Sequence, residues 1–390
     1  MVKKMFDDIR PYNDIEVGLA LKRVAASPLI DPMVDFLFPG QNSNEFRALL
    51  SSVSSVDDFQ QKAMSKAIES IVKQTTSGLT CSGIEYFRSD NGSKGVGTKK
   101  FLMLSNHRDI VLDSAFIQIL FFRNSLPLSE IAVGDNLMIN PFIEDLIRSN
   151  RMIKVIRSDN PREVYTASKV LSEYIRAKIT SNEASIWLAH RNGRTKDGFD
   201  ITEQGLIKML DMSGRGTFVD NFEEISIMPV SVSYEYEPCD LLKAIEVWYT
   251  KEQGGYKKKG GEDLVSIMTG LKQKKGNVHI NFCKPITRDE LEEADSHEKN
   301  DKFRKLAEIM DSRILPAFKL WPNNYVAADM LEKESGNSKI KDFSSFYSPV
   351  EYRAFNEYVE KQLNKVPEEI DKDAVRKIFL GIYATPVHNR

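Results

Sequence analysis

A chain of 390 residues allows two or three domains at roughly 150 residues each. Hydrophobic residues at 41% and charged residues at 28% make an ordinary globular composition, which excludes a disordered chain and a collagen-like or coiled-coil fibre. Lysine and arginine total 54 against 56 acidic residues, a formal net charge of −2, so nothing pulls the whole chain toward nucleic acid and any anion site must be local.

The opening stretch, MVKKMFDDIRPYND, has two lysines followed by acids and no apolar run, and is not expected to act as a secretory signal. Residues 1–78 read as helical. Leu19, Leu21 and Val24, then Phe36 and Leu37, then Phe46, Leu49 and Leu50 mark short amphipathic pieces. Ser54 and Ser55 stand where a helix through Phe59, Ala63, Ala67 and Ile71 would open. Residues 79–87 predict a strand, 90–97 a Gly/Asn/Ser turn and 100–104 an apolar strand. Helix and strand then alternate. A helix follows His107, strands fall near 131–133 and 152–156, and Pro161 occupies the first turn of another helix. A strand at 185–189, a helix near 203–212 and strands over 225–233 and 278–282 complete the series. Such repeated units predict an α/β fold with a mixed, partly parallel sheet flanked by helices. Pro229 inside a predicted strand points to a sheet edge or a bulge.

Residues 253–263, with four glycines and Lys257-Lys258-Lys259, read as a loop, and beyond about 288 the texture is again helical. The predicted organisation is a helical N-terminal region (1–78), an α/β domain (79–290) and a helical C-terminal region (291–390). No run approaches the ~18–20 apolar residues of a spanning helix; the greasiest, 110–122, contains Asp113, Ser114 and Gln118, so the protein is expected to be soluble or to lie on a membrane. Cys81, Cys239 and Cys283 are odd in number and scattered. They form neither a disulfide framework nor a Cys-x-x-Cys pair, and read as small buried hydrophobes in a reducing compartment.

Several segments bear on chemistry. Gly92-Ser-Lys-Gly-Val-Gly97-Thr98-Lys99 approaches a phosphate-binding loop, but its lysine and threonine are in the wrong order and its glycines precede a strand, so it reads as a hairpin turn. In Leu102-Met-Leu-Ser-Asn106-His107-Arg108-Asp109-Ile-Val-Leu112-Asp113 an apolar strand stops at Ser-Asn and delivers a histidine where a helix should begin. That position is the carboxyl end of a strand, where open α/β sheets collect ligands. A general base needs such an imidazole, with a carboxylate to fix its tautomer; Asp109 and Asp113 are the candidates. In Ile186-Trp-Leu-Ala-His190-Arg191-Asn192-Gly193-Arg194 a second strand ends in a basic loop, where glycine permits close approach and arginines suit phosphate oxygens. A strand ending at Arg157 and the Ile-Met-Pro229-Val stretch complete the set.

The order of these blocks resembles the glycerolipid acyltransferase family, which includes glycerol-3-phosphate and 1-acylglycerol-3-phosphate acyltransferases. The likeness covers about residues 80–290, and Val278-His-Ile-Asn-Phe-Cys-Lys-Pro285-Ile is similar to the family's closing strand. It implies that His107 is the base, that Asp113 orients it, and that Arg108, Arg157, Arg191, Gly193 and Arg194 hold the acceptor's anionic head. Pro229 matches a proline placed near the acyl chain. The donor would be acyl-CoA or acyl-carrier protein and the acceptor a lipid or glycerol phosphate, with no metal and no covalent acyl-enzyme. The protein would be cytoplasmic, peripheral on the inner face of the cell membrane, with no nucleic-acid partner.

Two departures stand out. The family spaces its pair as His-x4-Asp, but here residue 112 is leucine and Asp113 lies one further on. The family's usual glutamate before the block-three glycine is missing, and Asn192 stands there. This leaves open a different acceptor, such as a monoacylated amino-acid lipid, or a non-catalytic acyl-binding protein. A thioesterase-like hydrolase is disfavoured by the lack of a Gly-x-Ser-x-Gly elbow. His190 is a further candidate for substrate contact; His279, His297 and His388 read as structural, and no zincin spacing predicts a metal. Lysines 257–259, 272, 274 and 275 read as a solvated surface or as contacts to anionic lipid.

Overall fold

Short apolar runs bounded by polar turns become the strands of a single sheet. The computed structural model describes residues 5–88, 98–335 and 342–389. Its strands are β1 (Thr76–Ser82), β2 (Leu102–Ser105), β3 (Glu130–Gly134), β4 (Met152–Val155), β5 (Ile186–Ala189), β6 (Ile227–Tyr234) and β7 (Gly276–Phe282). They lie in the order β1-β7-β6-β2-β5-β3-β4. Strands β2 to β6 are parallel, β7 runs antiparallel to β6, and β1 pairs parallel with β7. This is the α/β arrangement, with a mixed, mostly parallel sheet flanked by helices, that the alternation predicts.

Because side chains alternate across a strand, each strand supplies both faces. Leu102, Leu104, Ile186, Leu188 and Ile227 pack against helices Pro161–Thr180, Gln204–Asp211 and Asp301–Ala317. Met103, Trp187, Met228 and Val230 pack against helices Ser65–Thr75 and Leu112–Arg123. The N-terminal helices have a core of their own around Val17, Leu21, Leu50 and Phe59, to which Phe142 and Leu146 add. The C-terminal helices bury Val326, Phe355, Phe379 and Tyr383 together with Leu241 and Ala244. On the β4 side the sheet edge is covered: the Lys154 amide donates to the Ile9 carbonyl at 2.8 Å.

Four expectations need correction. The strand predicted over 79–87 is β1 only to Ser82, after which Gly83, at φ +75°, turns the chain into a 3-10 helix at Ile84–Phe87. The helix expected straight after His107 begins at Leu112. Residues 235–275, where no helix was singled out, contain helices Asp240–Gln253 and Glu262–Lys272. Pro229 is neither at an edge nor in a bulge, but in β6, an interior strand buried throughout. The physical reason is local. The ladder to β7 covers Val230–Tyr234, so Pro229, which lacks an N–H, sits just past its end, where its carbonyl still accepts from the Cys283 amide at 2.9 Å.

The turn predicted at 90–97 lies outside the described residues. Cys239 and Cys283 are buried while Cys81 is half-buried, and all three are free thiols. Among the described residues no helix is long and apolar enough to cross a membrane.

Candidate functional site

Strand β2 ends at Ser105, and the next residue acts as its anchor. Buried Asn106 behaves like an extra strand partner: its Nδ2 donates to the Val232 carbonyl at 2.9 Å and its Oδ1 accepts from the Val232 amide at 2.7 Å. The chain then leaves the sheet and presents His107 at the carboxyl end of the parallel strands. The ring sits edge-on to Trp187, with centroids 5.7 Å apart, and its side chain is 14% exposed.

Nδ1 of His107 lies 2.8 Å from Oδ2 of Asp113, which is fully buried in the first turn of helix Leu112–Arg123. The same oxygen accepts from the amides of Arg108 (2.6 Å) and Asp109 (3.0 Å), and Oδ1 accepts from the Tyr234 hydroxyl (2.7 Å). Burial, with the Asp113 charge adding to it, pushes the Tyr234 phenol well above its ordinary value, so it stays a donor. The carboxylate therefore acts as an acceptor toward the imidazole. That assigns the proton to Nδ1 and leaves Nε2 with its lone pair.

Asp109 does another job. Its Oδ1 caps the new helix by accepting from the amides of Val111 (2.9 Å) and Leu112 (2.8 Å). The extra residue between histidine and aspartate is thus absorbed in the non-helical segment ahead of Leu112. Asp109 Oδ2 is buried without a hydrogen-bond partner, and it packs so close to Gly270 that a Cβ there would stand 2.2 Å from it.

The loop after β5 runs alongside this segment. The His190 amide donates to the Ser105 carbonyl and the Thr195 amide to the His107 carbonyl, each at 2.8 Å. Arg194 is thereby placed next to His107 in space. It is 9% exposed, close to Cys239 and Asp263, and its Nη1 is buried with no hydrogen-bond partner. Gly193 takes φ +75°, a conformation that suits glycine. Arg191 folds back on its own loop, its Nη1 donating to the Phe199 carbonyl at 2.9 Å. Arg157 comes in from the end of β4: exposed, it hydrogen-bonds Asn192 Oδ1 through Nη1 and Asp135 Oδ1 through its amide, at 3.1 Å for the latter.

Arg108 requires a correction. Its guanidinium is 1% exposed and turned away from any opening, paired with Asp200 and with Glu237 (3.3 Å) beneath the Phe318 ring. Burial opposes its charge, but the two carboxylates more than offset this and raise its pKa. Lys243 closes the cluster, donating to Glu237 at 2.6 Å and to the Arg108 carbonyl at 2.7 Å. In this position Arg108 ties the His107 segment to Asp200 and Glu237, and its guanidinium is engaged there rather than at the surface. His190 is likewise wholly buried; its Nδ1 meets Thr202 Oγ1 at 3.1 Å, its Nε2 has no partner, and burial pushes it down to about 4, so it is neutral.

The structure thus joins His107 to Asp113, ties the backbone of the Arg194 loop to the His107 segment, and brings Arg157 to Gly193's neighbour Asn192. Sequence reasoning missed Tyr234, Asn106 and Asp200. Tyr234 had a signal, being the first residue past a predicted strand at the same sheet end as His107. Asp200 had none: its links to Asn106 (3.0 Å) and Thr195 (2.5 Å) exist only in three dimensions.

Compared with known proteins, the chain matches no family model. It is 28% identical over 181 residues, 46% of its length, to glycerol-3-phosphate acyltransferases of Pseudomonas paraeruginosa and Pseudomonas aeruginosa. A glycerol-3-phosphate acyltransferase of Pseudomonas putida is 28% identical over 176 residues, 45% of this chain. Over that stretch the chain resembles glycerol-3-phosphate acyltransferases. The match spans 20% of the length of those relatives. Among solved structures, a 1-acyl-sn-glycerophosphate acyltransferase of Thermotoga maritima superposes with a TM-score of 0.38 at 13% identity, covering 75% of this chain and 90% of that one. The blocks this acyltransferase-like chain strings out along its sequence converge at the ends of strands β2, β4 and β5.

Proposed function

We propose that this protein is an acyltransferase moving a fatty acyl group from acyl-CoA or acyl-carrier protein to the hydroxyl of a glycerol-phosphate-type or lysolipid acceptor. The observation that carries this reading is the pairing of His107 Nδ1 with buried Asp113, on a segment whose carbonyl is tied to the loop that holds Arg194, a residue with one buried guanidinium nitrogen, Nη1, left without a hydrogen-bond partner. A buried donor nitrogen left unpaired is costly unless something accepts from it. An acceptor phosphate would do so.

In this mechanism His107 Nε2 takes the proton from the acceptor hydroxyl as its oxygen attacks the thioester carbonyl. Asp113 stabilises the imidazolium. Collapse of the tetrahedral intermediate breaks the carbon–sulfur bond, and the proton passes from Nε2 to the leaving thiolate. Arg194 and Arg157 hold the acceptor's anionic head, so that its hydroxyl and the thioester meet at one place. The protein would work peripherally, on the cytoplasmic face of the membrane that holds its lipid partners, without nucleic acid.

The test is an acceptor panel with labelled palmitoyl-CoA or acyl-carrier protein: glycerol 3-phosphate, its monoacyl form and monoacylated amino acids. His107→Ala should lose roughly 10²–10⁴ in rate with an unchanged melting curve. Transfer that survives in that variant removes His107 from the mechanism. Arg194→Ala should raise KM for anionic acceptors far more than it lowers kcat. No transfer to any acceptor by the native chain, with acyl chains still bound, would favour a non-catalytic binder.

A further inference from the structure

The polar cluster around Arg157 is bordered by aliphatic side chains that face water. Asp263 is its hub, with Oδ2 accepting from Asn136 (3.2 Å) and Oδ1 from Lys258 (2.7 Å). Arg157 stands against Gly134 and reaches Asn192. Three residues from Asn136 is Ile139, and following Asp263 are Leu264 and Val265; these three are 52–64% exposed. One exposed aliphatic residue is ordinary, but three on two segments that the Asn136–Asp263 hydrogen bond joins make a patch.

The adjoining segment 254–261 supplies charge. Lys257 and Lys259 are exposed and make no ion pair among the described residues. The acids nearest them are engaged within the protein: Glu262 accepts from the Tyr256 hydroxyl (2.7 Å) and the Lys259 amide (3.0 Å), and Asp263 is held as described. The segment therefore offers positive charge beside aliphatic surface. Protein–protein interfaces are enriched in tyrosine, tryptophan and arginine and depleted in lysine, whereas lysine with aliphatic side chains suits a bilayer with acidic head groups.

We propose that this rim docks on an anionic lipid surface. Ile139, Leu264 and Val265 enter the head-group boundary, Lys257 and Lys259 meet lipid phosphates, and the Arg157 end of the site faces the bilayer. The biological sense of this surface rests on the acyltransferase reading, but its test does not.

Vesicle co-sedimentation of the full chain provides that test, because it reads binding without any turnover. Vesicles of phosphatidylcholine and phosphatidylglycerol in equal parts should bind the protein, and added salt should weaken binding. Pure phosphatidylcholine should bind it less. The double variant Leu264→Glu/Val265→Glu should bind roughly tenfold more weakly or worse, and Lys257→Glu/Lys259→Glu should abolish the preference for phosphatidylglycerol. Both variants alter exposed positions and should keep the native melting curve and native transfer to soluble glycerol 3-phosphate. Unchanged vesicle binding by both variants overturns the proposal, as does failure of the native chain to bind. A native dimer that the Leu264→Glu/Val265→Glu variant breaks, with no vesicle binding, assigns the patch to self-association instead. Vesicle binding without acyl transfer would sustain this surface while sinking the catalytic reading.

Discussion

Arg108 and Arg194 have the same side chain and opposite surroundings. Asp200 and Glu237 pair with the first, while the second makes no ion pair within 4 Å among the described residues and leaves its Nη1 buried without a hydrogen-bond partner. Replacing Arg108 by methionine strands two buried carboxylates, and breaking a buried pair from one side costs about 3–5 kcal/mol. Urea melts of Arg108→Met should show that loss, whereas Arg194→Ala should stay near native stability. Lys275, buried at the start of β7, has its own signature. Its Nζ donates to the Gln273 carbonyl at 2.5 Å, and burial pushes the ammonium down to about 8. Below pH 8 folded and unfolded chains both carry the proton, and the folded one bears the cost of a buried charge. Between about 8 and the ordinary lysine value of 10.5 only the unfolded chain binds it, so stability rises with pH through that window. Thermal melts at pH 8 and pH 10 should show the native chain gaining on Lys275→Met.

At the scale of elements, the 190–202 loop is braced from outside the sheet. The Thr385 hydroxyl donates to the Asp197 carbonyl at 3.0 Å, and Thr202 is tied to Asp311. Gly198 takes φ +85°, and a Cβ there would stand 2.8 Å from the Ile382 carbonyl oxygen. Gly198→Ala should cost about 1–3 kcal/mol and raise the acceptor KM through displacement of the Arg194 backbone, read by melting together with steady-state kinetics. Much of this layer was legible in the sequence. Four-residue apolar runs ending in Ser-Asn-His or Ala-His-Arg mark buried parallel strands, because both faces of such strands need apolar side chains. Helices Asp240–Gln253 and Glu262–Lys272 were not legible, being half exposed and weakly patterned. Pro229 misled because a missing N–H matters only where a ladder continues. Arg108 misled because its inward turn depends on Asp200 and Glu237, which lie far along the chain.

At the scale of the molecule, the C-terminal helices are wired to the site. The hydroxyls of Tyr358 and Tyr383 each donate to Asp240 at 2.6 Å, and the Glu237 amide donates to the Tyr383 oxygen at 3.0 Å. Glu237 then holds Arg108, whose own amide holds Asp113. The order of that imidazole–carboxylate pair therefore draws on residues of the C-terminal helices, far along the chain from it. The contact between Ile9 and Lys154 has a consequence of a different kind. Unpaired strand margins act as templates on which further copies add, and here the chain's own leading segment occupies that margin. A version trimmed to start at Asp14 should stay folded at high dilution yet grow into strand-joined oligomers as concentration rises, visible by light scattering. The segment around Ile9 would then serve less to build the site than to keep the molecule from polymerising.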